Sequence, residues 1–151
     1  MKWLPLMVRL IASSTLATND TLTLKSRGGD YTTMSSFMGD ATADDNVSAD
    51  GDTLFLFCDH FRDVITSVVN VNLWDNIGVG QALLLICPAE GTGHSGEFGG
   101  GVYTLVSHPG TRTFSIFESN MRFDGLQFKG LGGSGDRIFD IEGGVKDFYF
   151  I

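Results

Sequence analysis

The chain has 151 residues, of which 42% are hydrophobic and 19% charged, and 18 acids against 10 bases leave a formal charge of −8. That length suits one domain with room for a core, and the apolar content excludes wholesale disorder. The acidity excludes a general nucleic-acid binder, which needs a basic face for phosphates, and electrostatic docking on anionic membranes.

Residues 1–20, MKWLPLMVRLIASSTLATND, have the parts of a signal peptide in Lys2, the apolar stretch Trp3 to Ala12 and Thr15-Leu16-Ala17. Pro5 and Arg9 interrupt that stretch, and it is about half of the ~20 residues a membrane span requires. The segment reads as an attachment or packing element, and no membrane insertion is expected.

Residues 21–52 form the second unit. Thr21 to Lys25 alternates and predicts a short strand, ended by Arg27-Gly28-Gly29-Asp30. Tyr31, Met34, Phe37 and Met38 then share one helical face, with Thr32 or Thr33 as the cap, which predicts a helix over 31–38. Gly39 ends it, and an acidic loop follows. From Asp30 to Asp63 the acids Asp30, Asp40, Asp44, Asp45, Asp50, Asp52, Asp59 and Asp63 are opposed only by Arg62.

Residues 53–151 are different in character. The chain's 20 Gly and 12 Phe fit tight turns joining short, densely packed strands. The predicted strands are Thr53–Cys58, Val64–Thr66, Val68–Leu73, Ala82–Cys87, Val102–Val106, Thr113–Phe117, Met121–Phe128, Arg137–Ile141 and Val145–Ile151. No helical segment separates them, so βαβ crossovers are excluded and a sandwich, a barrel or a solenoid remains. Cys58 and Cys87 each lie in an apolar run, which reads as buried free thiols, with one bridge as the alternative.

An internal repeat favours the solenoid. Arg112-Thr113-Phe114-Ser115-Ile116 matches Arg137-Ile138-Phe139-Asp140-Ile141. With Phe117 as an inserted residue, Glu118 falls on Glu142, Met121 on Val145 and Arg122 on Lys146. A period of about 25 residues fits one coil of stacked parallel strands. Phe114 over Phe139 and Ile116 over Ile141 would then form interior ladders, while the Arg and Glu rows form a solvated ion-pair strip.

Three phrases carry a family likeness: Arg27-Gly28-Gly29-Asp30-Tyr31-Thr32-Thr33-Met34-Ser35-Ser36-Phe37, Asp52-Thr53-Leu54-Phe55-Leu56-Phe57, and Asn120-Met121-Arg122-Phe123-Asp124-Gly125-Leu126-Gln127-Phe128-Lys129-Gly130. In these the chain resembles the beginning of right-handed parallel β-helix proteins of the pectin-lyase-like class, as found in phages and environmental bacteria. The resemblance implies an all-β right-handed parallel β-helix with a short N-terminal capping helix formed by Tyr31, Met34, Phe37 and Met38. It leaves activity open, because that fold hosts lyases, hydrolases, tailspikes and purely structural proteins.

Catalytic candidates are sparse. Lyases of this class gather carboxylates that hold Ca²⁺ beside a basic residue, and the repeat register sets Asp140 over Ser115, Asp124 near Phe148 and Asp147 near Phe123, which builds no such ladder. A glycosidase needs two carboxyls about 5–9.5 Å apart. Asp59 and Asp63 flanking His60 are the nearest such pair, with Glu90 and Glu97 next, and all sit in polar turns where acids serve solubility. Gly130 to Gly135 spells G-x-G-x-x-G, but a strand follows it where a phosphate site needs a helix N-terminus. Cys58, Asp59, His60, Cys87 and His94 match no standard zinc spacing. No cofactor or metal is expected.

The last predicted strand places Val145, Phe148, Tyr149, Phe150 and Ile151 at an uncapped end. Uncapped strand edges invite association. The expectation is a non-enzymatic structural protein of a virion or an extracellular surface, joined through this strand to itself or to another subunit. A carbohydrate-binding or polysaccharide-degrading tailspike-like module is the alternative, with glycan as its ligand.

Overall fold

The computed structural model describes residues 19–47, 51–72, 74, 77, 82–89, 102–107, 112–131 and 137–151. Of residues 1–20, read above as an attachment or packing segment, 1–18 lie outside the described residues, and Asn19 and Asp20 belong to the first strand. The first strand, β1, spans Asn19–Leu24, and the one helix among the described residues, α1, spans Met34–Met38. Thr33 is its cap: the hydroxyl accepts the Ser36 N–H at 3.1 Å, and the Ser36 hydroxyl accepts the Thr33 N–H at 3.3 Å. Five residues are too few for a helix that stands alone. Burial of Met34, Phe37 and Met38 holds it in place.

Tyr31 lies before the helix rather than in it. It bridges to Leu24 and meets the Phe37 ring edge-on at 5.2 Å. The helix is therefore shorter than the apolar spacing predicts, because the Thr33 capping box fixes its start three residues later.

After α1 the described residues are strand and turn. Its strands are β2 (Thr53–Cys58), β3 (Arg62–Val64), β4 (Val69–Val71), β5 (Leu83–Pro88), β6 (Thr104–Val106), β7 (Arg112–Ile116), β8 (Met121–Phe123), β9 (Gln127–Lys129), β10 (Arg137–Ile141) and β11 (Phe148–Phe150). They form three sheets in the orders β1-β2-β5-β8-β11, β3-β6-β9 and β4-β7-β10. Every strand pairing is parallel. The chain visits the first, second and third sheet in that order three times, then re-enters the first sheet with β11.

Register sets the core. Inward-facing side chains of the first sheet stack as Leu54, Leu84, Met121 and Phe148, and as Leu22, Leu56, Ile86, Phe123 and Phe150. The third sheet stacks Val69, Phe114 and Phe139. Residues from all three sheets and α1 belong to one apolar cluster. Each fully buried Leu or Ile in it is worth about 1.5–3 kcal/mol over exposure. At the other end, α1 packs beside β4, and Phe37 meets Trp74 at 5.3 Å.

The repeat holds in part. Arg112, Phe114, Ser115 and Ile116 lie beside Arg137, Phe139, Asp140 and Ile141 as expected. Phe117 is not an inserted residue, however. The register offset between the copies widens by two residues between the Ile116–Ile141 and Met121–Phe148 pairs, where an inserted Phe117 would narrow it. The extra residues belong to the later copy, in the turn Glu142 to Asp147, where Gly144 has φ 103° and Asp147 φ 53°. Met121 consequently pairs with Phe148 and Arg122 with Tyr149, not with Val145 and Lys146, and Phe123 lies beside Phe150.

Three other expectations change. The stretch Met121–Phe128 is two strands, because Gly125 turns the chain with φ 62°. Val145 belongs to a turn, which shortens the final strand to Phe148–Phe150. Cys58 is buried, but Cys87 is only half-buried. Cys87 pairs with Phe57 while Cys58 pairs with Pro88, so the two thiols project to opposite faces of the sheet and both are free.

Candidate functional site at the last layer

The strands β9, β10 and β11 end their three sheets, and each has a strand neighbour on one side only among the described residues. Their inward side chains form a layer of rings over Phe123. Phe123 lies 4.9 Å from Phe139, 5.4 Å from Phe150, 5.6 Å from Phe148 and 5.9 Å from Phe128. The outer rings also touch one another, with Phe139 and Phe150 at 5.1 Å and Phe128 and Phe150 at 5.6 Å. Most of these contacts are tilted or edge-on, the arrangement aromatic quadrupoles favour.

Exposure rises sharply at this layer. Phe114 and Phe139 are neighbours on one ladder, yet Phe114 is fully buried and Phe139 is not. Phe150 is 50% exposed, Ile141 45% and Ile151 70%. The difference is positional: Phe114 is flanked by Val69 and Phe139, whereas Phe139 has a strand on one side. Such a contiguous apolar surface marks an interaction site more often than a solvated one.

The backbone edge is equally available. In β11, Asp147 and Ile151 bond to β8: Met121 N–H donates to the Asp147 carbonyl, and Ile151 N–H donates to the Phe123 carbonyl. Alternation along a strand then turns the N–H and C=O of Phe148 and Phe150 to the unpaired side.

Charges rim the layer. Arg112 reaches Asp140 at 3.0 Å and Glu142 at 3.3 Å, and Arg137 reaches Asp140 at 3.1 Å. Hydrogen bonds from Arg112 and Arg137 hold the Asp140 carboxyl below the usual carboxylate range. Of the solvated strip the sequence predicts, Arg112, Arg137 and Glu142 take part and Asp140 joins them, while Glu118 is buried; such pairs add little stability. Tyr149 points outward and donates to Asp147 at 3.1 Å, which raises its phenol.

Among the described residues, the catalytic candidates Asp59 and Asp63 stand in different surroundings. Asp59 is partly exposed and contacts His60 at 3.0 Å. Asp63 is buried, facing inward from β3, where it accepts the Met34 N–H at the first turn of α1 and the Tyr103 hydroxyl at 2.7 Å. Its carboxylate ties the helix to the strands. Burial beside that carboxylate pushes the Tyr103 phenol well above its ordinary value. Glu90, Glu97 and His94 lie outside the described residues. Among the described residues no three His, Cys, Asp or Glu side chains gather in a way that could hold a metal ion. Residues 132–136, which include most of the glycine phrase, lie outside the described residues, and the described chain resumes in a strand, β10, at Arg137.

Sequence reasoning missed two parts of the surface. Phe128 and Phe139 join the last layer although they come from different sheets than β11, which only the register reveals. Phe55 and Phe57 face outward from β2, their rings stacked 5.9 Å apart and 9° from parallel. The signal was present in TLFLFC and LLLIC, since near-continuous apolar runs mark strands whose two faces are both covered.

No helix among the described residues is long and apolar enough to cross a membrane. Comparison with protein-family models, with curated proteins and with solved structures finds no match to this chain.

Proposed function

We propose that the chain is a short right-handed parallel β-helix, closed at its first end by α1, that serves as a structural subunit and associates through its aromatic last layer. The repeated visiting order of the three parallel sheets supports the β-helix. Parallel crossovers are right-handed in about 98% of cases, which supports the hand. The half-exposed ring of Phe150 beside the partly buried rings of Phe139 and Phe148, over a buried Phe123, is the single observation that carries the association. The likeness of its opening and Asn120–Gly130 phrases to phage and bacterial β-helix proteins supports a place in a virion, as part of a tail or capsid, or in an extracellular surface structure.

Sedimentation and light scattering across a concentration series test this reading. The expected result is association that Phe150→Asp weakens at least tenfold. A monodisperse monomer, with β11 ordered by hydrogen exchange, would overturn it.

One observation favours a second reading, glycan binding. The near-parallel, stacked Phe55 and Phe57 rings stand on the outer face of the first sheet, and aromatic faces stack on the C–H faces of sugar rings. A glycan array on the wild type and Phe55→Ala/Phe57→Ala tests it. Hits lost in the variant support it, and an array without hits refutes it.

A further inference from the structure

The two ends of the molecule differ in chemistry, and that difference restricts what the aromatic layer can meet. Resting on the association reading above, we infer that the last layer pairs with a second copy of itself, tail to tail about a twofold axis, and that the assembly closes at a dimer.

A head-to-tail stack would need a matching edge at the first end. There α1 lies where second-sheet and third-sheet strands would otherwise fall, and its apolar face is spent on the core, with Met34, Phe37 and Met38 at 1% exposure or less. The strands β1, β3 and β4 end their sheets there; α1 packs beside β4 and bonds Asp63 of β3, and the β1 side chains Asn19, Asp20, Thr21 and Thr23 are polar. That end is also acidic. Among described residues 19–47, Asp20, Asp30, Asp40, Asp44 and Asp45 face only Lys25 and Arg27. Aromatic rings set against that surface would lose water for no apolar partner.

The last layer complements itself. The sequence from residue 129 onward is close to balanced in charge, with Lys129, Arg137 and Lys146 against Asp136, Asp140, Glu142 and Asp147. A twofold axis perpendicular to the stack reverses strand direction, so β11 meets β11 of the second copy antiparallel. The same operation sets β9 of one copy against β10 of the other. Each unpaired N–H and C=O of Phe148 and Phe150 then finds a partner, and the two ring layers cover each other. An isologous contact of this kind consumes its own surface and cannot propagate.

Sedimentation equilibrium of the full chain, read with three variants, tests the geometry. The wild type is expected to plateau at twice 16.3 kDa. Phe150→Pro removes an edge N–H that does not bond to β8, and Lys146→Glu unbalances the rim without touching the core. Each is expected to raise the dimer dissociation constant at least tenfold while the far-ultraviolet spectrum stays unchanged. Lys25→Glu, at the opposite end, is expected to leave it within twofold. Species that keep growing with concentration, or a constant sensitive to Lys25→Glu, would overturn the tail-to-tail geometry and leave association standing. A monomer at every concentration would overturn both, and a different partner or segment would then be the cover of this face.

Discussion

Removing the Asp63 carboxylate should loosen the first end of the molecule far more than its place in a polar stretch suggests. The Met34 N–H and the Tyr103 hydroxyl both end on the same oxygen, Oδ2, and Tyr103 has no exposed surface. A buried donor left without a partner costs about 1–3 kcal/mol, so Asp63→Ala, which strands two, should cost about 2–6 kcal/mol. Asp63→Asn keeps one acceptor oxygen in place and should cost about 1–2 kcal/mol, because a neutral acceptor is weaker than a charged one. Tyr103→Phe should cost about 1 kcal/mol alone and less on top of Asp63→Ala, giving a coupling of about 1–3 kcal/mol between the two sites. Urea unfolding followed by circular dichroism reads these values from the midpoint shift at constant slope. An Asp63→Ala protein within about 0.5 kcal/mol of wild type, or strict additivity with Tyr103→Phe, would refute the assignment of Asp63 as the tie between α1 and the strands.

Other outcomes follow from packing, backbone and protonation. Phe123→Ala, which removes the ring beneath the last layer, should cost about 3–5 kcal/mol, whereas Phe150→Ala, half exposed, should cost less than half as much; urea midpoints compare them. Gly29→Ala should destabilise clearly, since a Cβ there would lie 2.9 Å from the Thr23 carbonyl oxygen, while Gly143→Ala, with nothing within 4 Å, should be neutral or slightly stabilising by thermal melts. A thiol reagent added to the native protein should label Cys87 at least tenfold faster than Cys58, which should react only on unfolding. Burial raises the Cys58 thiol and the Tyr103 phenol above their ordinary values of 9.0 and 10.0. Above pH 9 the folded state therefore binds more protons than the unfolded one, and stability present below that pH should be lost as pH rises. Hydrogen bonds from Thr23 and Thr42 lower the Asp30 and Asp40 carboxyls below 3.8. The stability they contribute is present above that value and should fade as pH falls through the lowered range, so thermal melts across pH should show decline at both extremes.

What could be read from the sequence was whatever depends on neighbours along the chain. Thr53–Cys58 and Arg137–Ile141 were delimited by alternation and turn residues, and the structure bounds them identically. The cap was narrowed to Thr32 or Thr33, and the structure uses Thr33, because capping is a local exchange of hydrogen bonds. Long-range facts were not legible. Asp63 and Val64 looked like a turn and an apolar strand start, yet the acid faces the core and Val64 is 46% exposed. No local pattern shows that an inward acid has a helix N–H and a phenol waiting for it. The register of the final strand failed for a similar reason, since the turn Glu142 to Asp147 absorbs its extra residues through positive φ at Gly144 and Asp147. Nor could composition say that Phe128, from β9, and Phe139, from β10, would meet Phe148 and Phe150 of β11.

The ladder order has a mechanical consequence. Among the described residues each strand is bonded only to its neighbours in the order of its own sheet, so damage has a direction. Peeling away β11 uncovers Phe123 but leaves the pairing of β1 with β2 intact, while loss of α1 breaks into the core cluster at once. Pulled or digested, the molecule should unzip from the aromatic end inward, and the last piece to yield should be the one that Asp63 and Tyr103 hold shut.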